Sequence, residues 1–139
     1  MENANARFMF QGKTVNGEWV WGYLSIITKE QNAKVEPGYY ISNRAGMPFA
    51  YQVIPETVGQ CTGLKDYYGI LIFDGDIIEE DGINRYIHWH DGGWCYSVRY
   101  DSKCHWHLRK EDVENAGIIG NIHEDQFRDA TKLTEKEND

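Results

Sequence analysis

The sequence has little of what long helices, membrane spans and phosphate-binding loops require. Apolar residues rarely recur along a segment with the three- to four-residue spacing of an amphipathic helix. Many short runs instead alternate apolar with polar residues, which is the period of a strand. Only three prolines occur among 14 scattered glycines. No GxxxxGK segment is found, and no stretch approaches the ~20 apolar residues that span a bilayer. We expect a soluble, turn-rich β protein with no membrane partner.

The two halves of the chain differ in net charge, because acidic residues are concentrated in the second half. The net charge is −8. Residues 1–69 carry six Lys or Arg and six Asp or Glu, whereas residues 70–139 carry eight and sixteen. An acidic domain repels phosphate backbones, so nucleic acid is an unlikely partner.

Cysteine is also scarce. Cys61, Cys95 and Cys104 are odd in number, lack CxxC spacing and are surrounded by no nucleophile signature. The first residues contain no apolar signal region. The expectation is reduced thiols in a bacterial host cytoplasm, with no catalytic residue, no cofactor and no enzymatic activity.

Alternating segments separated by glycine-marked turns predict the fold class. It is all-β, with small, strongly bent, barrel-like sheets of the SH3 type and little helix. We predict β subregions 1–54 and 55–127 that share one core, then a polar tail, 128–139. The predicted strands are Arg7–Gln11, Glu18–Ile27, Tyr39–Ser42, Ala50–Ile54, Asp76–Glu80, Ile83–His90, Trp94–Tyr100, Cys104–Leu108 and Gly117–Ile122.

Two H-x-H motifs are the sharpest chemical candidates. They comprise His88 with His90 and His105 with His107. Four histidines can bind zinc, but whether they meet depends on how the strands pair.

Hairpin register decides where these histidines point. We predict that Val98 pairs with Trp106 across a three-residue loop. For the preceding hairpin, Tyr96 can pair with His88, or with Trp89 across a Gly92-Gly93 turn. The second register is preferred because it keeps the apolar residues on one face. The histidines then face outward with ~10 Å between the two pairs, which favours exposed histidines, His88 included, over a metal site.

An acidic run is the second candidate. Paired carboxylates can bind a divalent cation or act as acid and base, but Ile78 interrupts the calcium-loop pattern. A solvated strand edge that discourages unwanted pairing is the preferred interpretation. The run comprises Asp74, Asp76, Glu79, Glu80 and Asp81.

Residues 55–78 read PETVGQCTGLKDYYGILIFDGDII. This segment resembles the hallmark of the YopX-like family of phage and prophage proteins, in which a PETVGQ-type lead is followed by TGLKD and GDI. GEWV at 17–20 and IGNIHE at 119–124 extend the resemblance. Cys61 stands where the family has an aromatic residue, and His123 stands where it has Tyr. The resemblance implies a β-rich fold, a phage context and self-association, but no activity.

The hallmark glycines have two interpretations. Gly59, Gly63 and Gly69 fit tight backbone turns, with Lys65-Asp66 as turn chemistry. A ligand loop is the alternative, because amides exposed at glycines can bind anions. Its candidate positions are Gly63, Lys65, Asp66, Asp74 and Asp76.

Aromatic residues are the remaining signal, since five tryptophans exceed the need of one small core. We predict a non-enzymatic phage or prophage accessory protein that acts by protein–protein contacts, as a homo-oligomer and with a host or phage protein. One alternative is a nucleic-acid-binding β-barrel module, in which these rings stack bases. The other is a metal-dependent hydrolase. The tryptophans are Trp19, Trp21, Trp89, Trp94 and Trp106.

Overall fold

The computed structural model describes residues 6–29, 34–42, 50–99 and 106–124, and it is all-β as predicted. Two short 3-10 helices, Pro55–Thr57 and Lys110–Asp112, interrupt the strands. The strands are β1 (Phe10–Lys13), β2 (Trp19–Ile27), β3 (Gly38–Ser42), β4 (Tyr51–Val53), β5 (Gly59–Lys65), β6 (Leu71–Phe73), β7 (Asp76–Glu80), β8 (Ile83–His90), β9 (Gly93–Ser97), β10 (Trp106–His107) and β11 (Gly117–Asn121).

The chain divides into two compact units, Met1–Cys61 and Thr62–Asp139. In the first, the strands lie in the antiparallel order β4-β3-β2-β1, and β1 also pairs with the start of β5. Gly17, with a φ of +89°, closes the β1–β2 hairpin, as Asn16-Gly17 predicted. Gly12 allows close packing, because a Cβ there would lie 3.0 Å from the Val53 Cβ.

The second unit contains an antiparallel sheet in the order β10-β9-β8-β7-β11. The second half of β5 lies beside β6. The core contains fully buried side chains on which partly buried rings and aliphatic groups pack. The buried residues are Ile72, Ile78, Ile87, Val113 and Ala116, and the partly buried ones are Leu64, Trp94, Tyr96, Leu108 and Ile118.

Among the described strands, the sheets are open rather than closed into a barrel. β7 lies between β8 and β11, so the interpretation of its acidic residues as a solvated edge was wrong. Asp76 is buried and Glu79 and Glu80 are half-buried. The reason is that β11 pairs with the side of β7 that was predicted to face solvent.

Both predicted hairpin registers were wrong by two residues. Trp106 lies opposite Tyr96 rather than Val98, and Tyr96 lies opposite Ile87 rather than Trp89. The β8–β9 turn is Asp91-Gly92 and not Gly92-Gly93, because both residues have positive φ, at 50° and 81°. A shift of two residues preserves the side-chain face, so the predicted clustering of apolar residues is confirmed.

The strands β5 and β6 were not predicted. Gly59 and Gly63 lie inside β5, so reading them as turns was wrong. Gly63 has a φ of +83° within the strand, and Gly69, with a φ of +80°, is in a turn as predicted.

The cysteine prediction was also wrong in part. Cys95 is disulfide-bonded, although reduced thiols were expected. Cys61 is a fully buried thiol in β5, and Cys104 lies outside the described residues. In the described part of the chain, no helix has the length and apolar character needed to cross a membrane.

Candidate interaction surfaces

Asp66 organises the turn between β5 and β6. Its side chain is only 5% exposed. Oδ1 accepts hydrogen bonds from the N–H groups of Tyr68 and Ile70, both at 2.9 Å, and Oδ2 accepts one from Ile118 at 3.1 Å. The N–H of Tyr67 donates to the carbonyl of Ala116 at 2.8 Å. The buried carboxylate therefore fastens this turn to the start of β11.

Asp76 fastens the other end of β11. Oδ2 accepts the N–H of Phe73 at 2.8 Å, and Oδ1 accepts the side-chain amide of Asn121 at 2.9 Å. The side-chain Oδ1 of Asn121 in turn accepts the N–H of His123 at 3.0 Å. The GDI and IGNI motifs of the sequence thus meet through two buried side chains.

The remaining predicted positions do not join these two aspartates. Lys65 is exposed at the end of β5, where Gly63 also lies. Asp74 is half-buried, and its carboxylate accepts backbone hydrogen bonds from Trp89 and Gly75. Burial raises the pKa of Asp74 to about 6, against the lowering effect of those two N–H groups.

Other polar hallmark residues also bind the backbone. The Thr57 hydroxyl donates to the carbonyl of Ile54 at 2.6 Å and accepts the N–H of Lys13 at 2.9 Å. The Gln60 side chain donates to the carbonyl of Arg7 at 2.7 Å. These hallmark residues therefore hold strands and turns in place.

The turn that Asp66 holds presents two aromatic rings to solvent. Tyr67 is 66% exposed, Tyr68 is 75% exposed and Ile70 is 56% exposed. The two tyrosine rings meet edge to face, with centroids 5.2 Å apart. We call these three residues the tyrosine turn. Sequence reasoning missed it, although two adjacent tyrosines before a turn glycine cannot both face a core.

A cleft of about 270 Å³ opens beside the tyrosine turn. Its floor includes Gly117, where an added Cβ would lie 3.2 Å from the Tyr68 ring. Gly117 pairs with Glu79 across the β7–β11 ladder, so a carboxylate lies on the strand beside the ring. The cleft is lined by Tyr67, Tyr68, Glu79, Glu80, Asp81, Asn115, Ala116, Gly117, Ile118 and Ile119.

A second set of aromatic rings lies across β8, β9 and β10. Trp89 and Trp94 meet edge to face at 5.2 Å between ring centroids, and Tyr96 and Trp106 stack at 5.4 Å. Trp89 is 53% exposed and Trp106 is 46% exposed. The Arg85 guanidinium lies 5.4 Å from the Tyr96 ring centroid. We call Trp89, Trp94, Tyr96 and Trp106 the tryptophan face.

The histidines lie on the opposite side of these strands. His88 and His107 both lie opposite Cys95, one on each neighbouring strand, which separates their strands by ~10 Å. His90 and His107 are exposed as predicted, but His88 is half-buried, so the prediction was wrong for that residue. Burial lowers the pKa of His88, and the charge of His90 lowers it further. His105 lies outside the described residues. Within the described ranges, no three His, Cys, Asp or Glu side chains form a group that could hold a metal ion.

The comparison with protein-family models agrees with the hallmark. The family model described as YopX protein matches residues 4–127. The crystal structure of protein EF1440 from Enterococcus faecalis is 17% identical, with a TM-score of 0.48 over 85% of this chain and 94% of that chain. No curated protein matches. The family model covers nearly the whole sequence, so the resemblance is confirmed and the chain belongs to the YopX family.

Proposed function

We propose that this protein is a non-enzymatic phage or prophage accessory protein that acts by protein–protein contacts and assembles as a homo-oligomer through the tryptophan face. The observation that carries the proposal is the exposure of Trp89 and Trp106 within a paired set of rings. Large exposed aromatic side chains are the commonest anchors of protein interfaces.

The arrangement of the rings supports a protein contact. Each exposed tryptophan contacts a partly buried ring, Trp94 or Tyr96, that packs on the core. The rings are therefore held in position before a partner arrives, which reduces the conformational entropy lost on association. The acidic second half of the chain favours a basic or neutral protein as a further partner, from the host or the phage.

The phage context and the cytoplasmic location are further parts of the proposal. The hallmark resemblance to phage and prophage proteins supports the first. The disulfide at Cys95 bears against the second, because reducing cytoplasms keep most protein thiols reduced. The state of the thiols in cells therefore tests the location.

Light scattering at micromolar concentration tests self-association. We expect the protein to have a mass that is a multiple of 16.1 kDa. A variant with Trp89→Ala and Trp106→Ala is expected to have the monomer mass, because the anchors of the contact are gone.

Trp21→Ala is the matched control, since Trp21 is 49% exposed on β2 in the other unit. Its mass is expected to equal that of the wild type. A wild-type protein that is a 16.1 kDa species at every concentration contradicts the proposal. So does a tryptophan-face variant that remains assembled.

A second candidate function is single-stranded nucleic-acid binding on the same face. It is favoured by the stacked pair Tyr96 and Trp106 with the Arg85 guanidinium over Tyr96, because aromatic rings and arginine stack on bases. The net charge of −8 opposes it. A gel shift at low salt that retards a single-stranded oligonucleotide with the wild type, but not with Trp106→Ala, would favour this candidate over assembly.

A further inference from the structure

We propose that the cleft beside the tyrosine turn binds an arginine side chain carried on a segment of a partner protein. The cleft has a volume of about 270 Å³ and combines aromatic rings with carboxylates. These are the two kinds of group that attract a guanidinium, which stacks on a ring and forks its N–H groups onto a carboxylate.

The aromatic wall of the cleft is carried on a hydrogen-bonded turn. Tyr67 and Tyr68 meet at an interplanar angle of 89°, so one ring offers its face where the other offers its edge. The Tyr68 ring lies against Gly117, where no side chain intervenes. The backbone of the turn is held by Asp66. The backbone that carries both rings is therefore held in place before a cation enters the cleft.

The acidic wall lies on the neighbouring strand. Glu79 lies opposite Gly117 in the β7–β11 ladder. Its Oε1 accepts the N–H of Gly82 at 2.8 Å, which orients the carboxylate. Asp81 is exposed in the turn that follows. Carboxylates and tyrosine rings thus line the same cleft, a combination that disfavours an anionic ligand and favours a cation.

The protein already pairs a guanidinium with this acidic strand. Arg85 lies 3.5 Å from Glu80, and its guanidinium contacts the Tyr96 ring face. The Glu80 carboxylate and the Tyr96 ring thus bind Arg85 on the core side of the sheet. On the other side, Glu79 and Tyr68 offer the same pair of groups to a guanidinium from outside.

This inference concerns a different surface from the tryptophan face. Assembly through the tryptophan face can fail while the cleft binds arginine, and the reverse also holds. The two experiments use different variants and different measurements, so their failures are distinguishable.

Amide chemical shifts measured by NMR test the site. The probe is a capped Gly-Arg-Gly peptide, titrated to about 10 mM because a single exposed cation contact is weak. We expect shift changes at the amides of Tyr68, Gly82 and Gly117. The matched peptide carries citrulline, which has the shape of arginine without its charge, and it is expected to shift these amides by far less.

Three variants assign the contacts. Tyr68→Ala removes the ring and is expected to weaken arginine binding about threefold to fivefold. Glu79→Gln removes the charge and keeps an oxygen for Gly82, with an expected loss of about twofold to fivefold at low salt. Gly117→Val fills the floor of the cleft and is expected to abolish the shifts. Tyr51→Ala removes a 45% exposed tyrosine of the other unit and is the control with unchanged affinity.

Spectral dispersion like that of the wild type establishes that each variant is folded. Equal shifts with the arginine and citrulline peptides overturn the proposal. It is also overturned by a folded Gly117→Val variant that binds like the wild type, or by peptide-induced shifts that leave the three cleft amides unchanged.

Discussion

The tyrosine turn and the tryptophan face both expose aromatic rings, but they are held in different ways. The tyrosine turn depends on the buried Asp66 carboxylate, which binds three backbone N–H groups. The tryptophan face depends on ring-to-ring contacts between neighbouring strands. One buried carboxylate thus holds the tyrosine turn, whereas ring contacts between neighbouring strands hold the tryptophan face.

A carboxylate also supports the tryptophan face, although differently. The Asp74 side chain accepts the backbone N–H of Trp89, and burial raises its pKa to about 6. The two surfaces are therefore destabilised by different changes. Loss of one acceptor threatens the tyrosine turn, whereas a change of charge near pH 6 alters the support beneath the tryptophan face.

The largest expected effect is that of Asp66→Ala. Three N–H groups lose their acceptor, and two of them lie in the turn itself. The free energy of unfolding is expected to fall by about 3–5 kcal/mol, because each unsatisfied buried donor costs about 1–3 kcal/mol. Chemical denaturation measures the change.

Asp66→Asn is its matched control. One amide oxygen still accepts the N–H groups of Tyr68 and Ile70, whereas the –NH₂ group faces the N–H of Ile118. A smaller loss than that of Asp66→Ala is expected. Equal stability of the wild type and Asp66→Ala would show that the turn does not depend on this carboxylate.

The second prediction concerns pH. Because the pKa of Asp74 is higher in the folded state than its ordinary value of 3.8, the folded protein binds the proton more tightly. The free energy of unfolding therefore falls as pH rises from about 4 to about 6, by a contribution on the order of 1–3 kcal/mol. His88 acts in the opposite direction, since its lowered pKa favours the fold at higher pH.

Asp74→Asn isolates this contribution. The amide oxygen can still accept N–H groups from Trp89 and Gly75, but no charge is buried. The variant is expected to be more stable than the wild type at pH 7 and equally stable near pH 4. Denaturation curves across this range measure the difference, and a variant less stable at pH 7 would contradict the burial argument.

The third prediction compares one ring from each surface. Trp106→Ala removes a half-buried ring that stacks on Tyr96, and it is expected to cost about 1–2 kcal/mol of unfolding free energy. Tyr68→Ala removes a ring that is 75% exposed, with an expected cost below about 0.5 kcal/mol. The reverse order, measured by the same denaturation method, would mean that the tyrosine ring is a structural contact.

The smallest expected effect concerns thiol chemistry. The chain has three cysteines, and Cys95 is disulfide-bonded. Alkylation of the denatured, unreduced protein is expected to modify one thiol per chain, with mass spectrometry as the measurement. Three modified thiols in protein alkylated directly in cells would contradict the disulfide and support a reducing compartment.

The strand pattern of the second half was largely predictable. The bounds of the strand Ile83–His90 were predicted correctly, because its residues alternate and the Asp81-Gly82 turn marks where it begins. The same dipeptide rule applied to Asp91-Gly92 would have given the correct β8–β9 register. β5 and β6 were missed because glycines inside a strand resemble turn signals when no partner strand is known.

The candidate surfaces were less predictable than the strands. The tryptophans were identified as excess aromatic residues, but their pairing required the register. The aspartates of the hallmark were identified as candidate ligand-loop residues, but the hydrogen-bond partners that distinguish them are visible only in the folded structure. Asp66 binds Ile118, 52 residues away, and Asp76 binds Asn121, 45 residues away.

The sequence by itself determined the all-β class, the family and the face on which the apolar residues of the β8–β9 and β9–β10 hairpins lie. These properties follow from local alternation, turn dipeptides and a long contiguous motif. The tertiary structure alone decided which aspartates are buried clamps, which strand is an edge and which rings remain exposed. Each of these depends on hydrogen bonds and packing between residues distant in the chain, which no local pattern specifies.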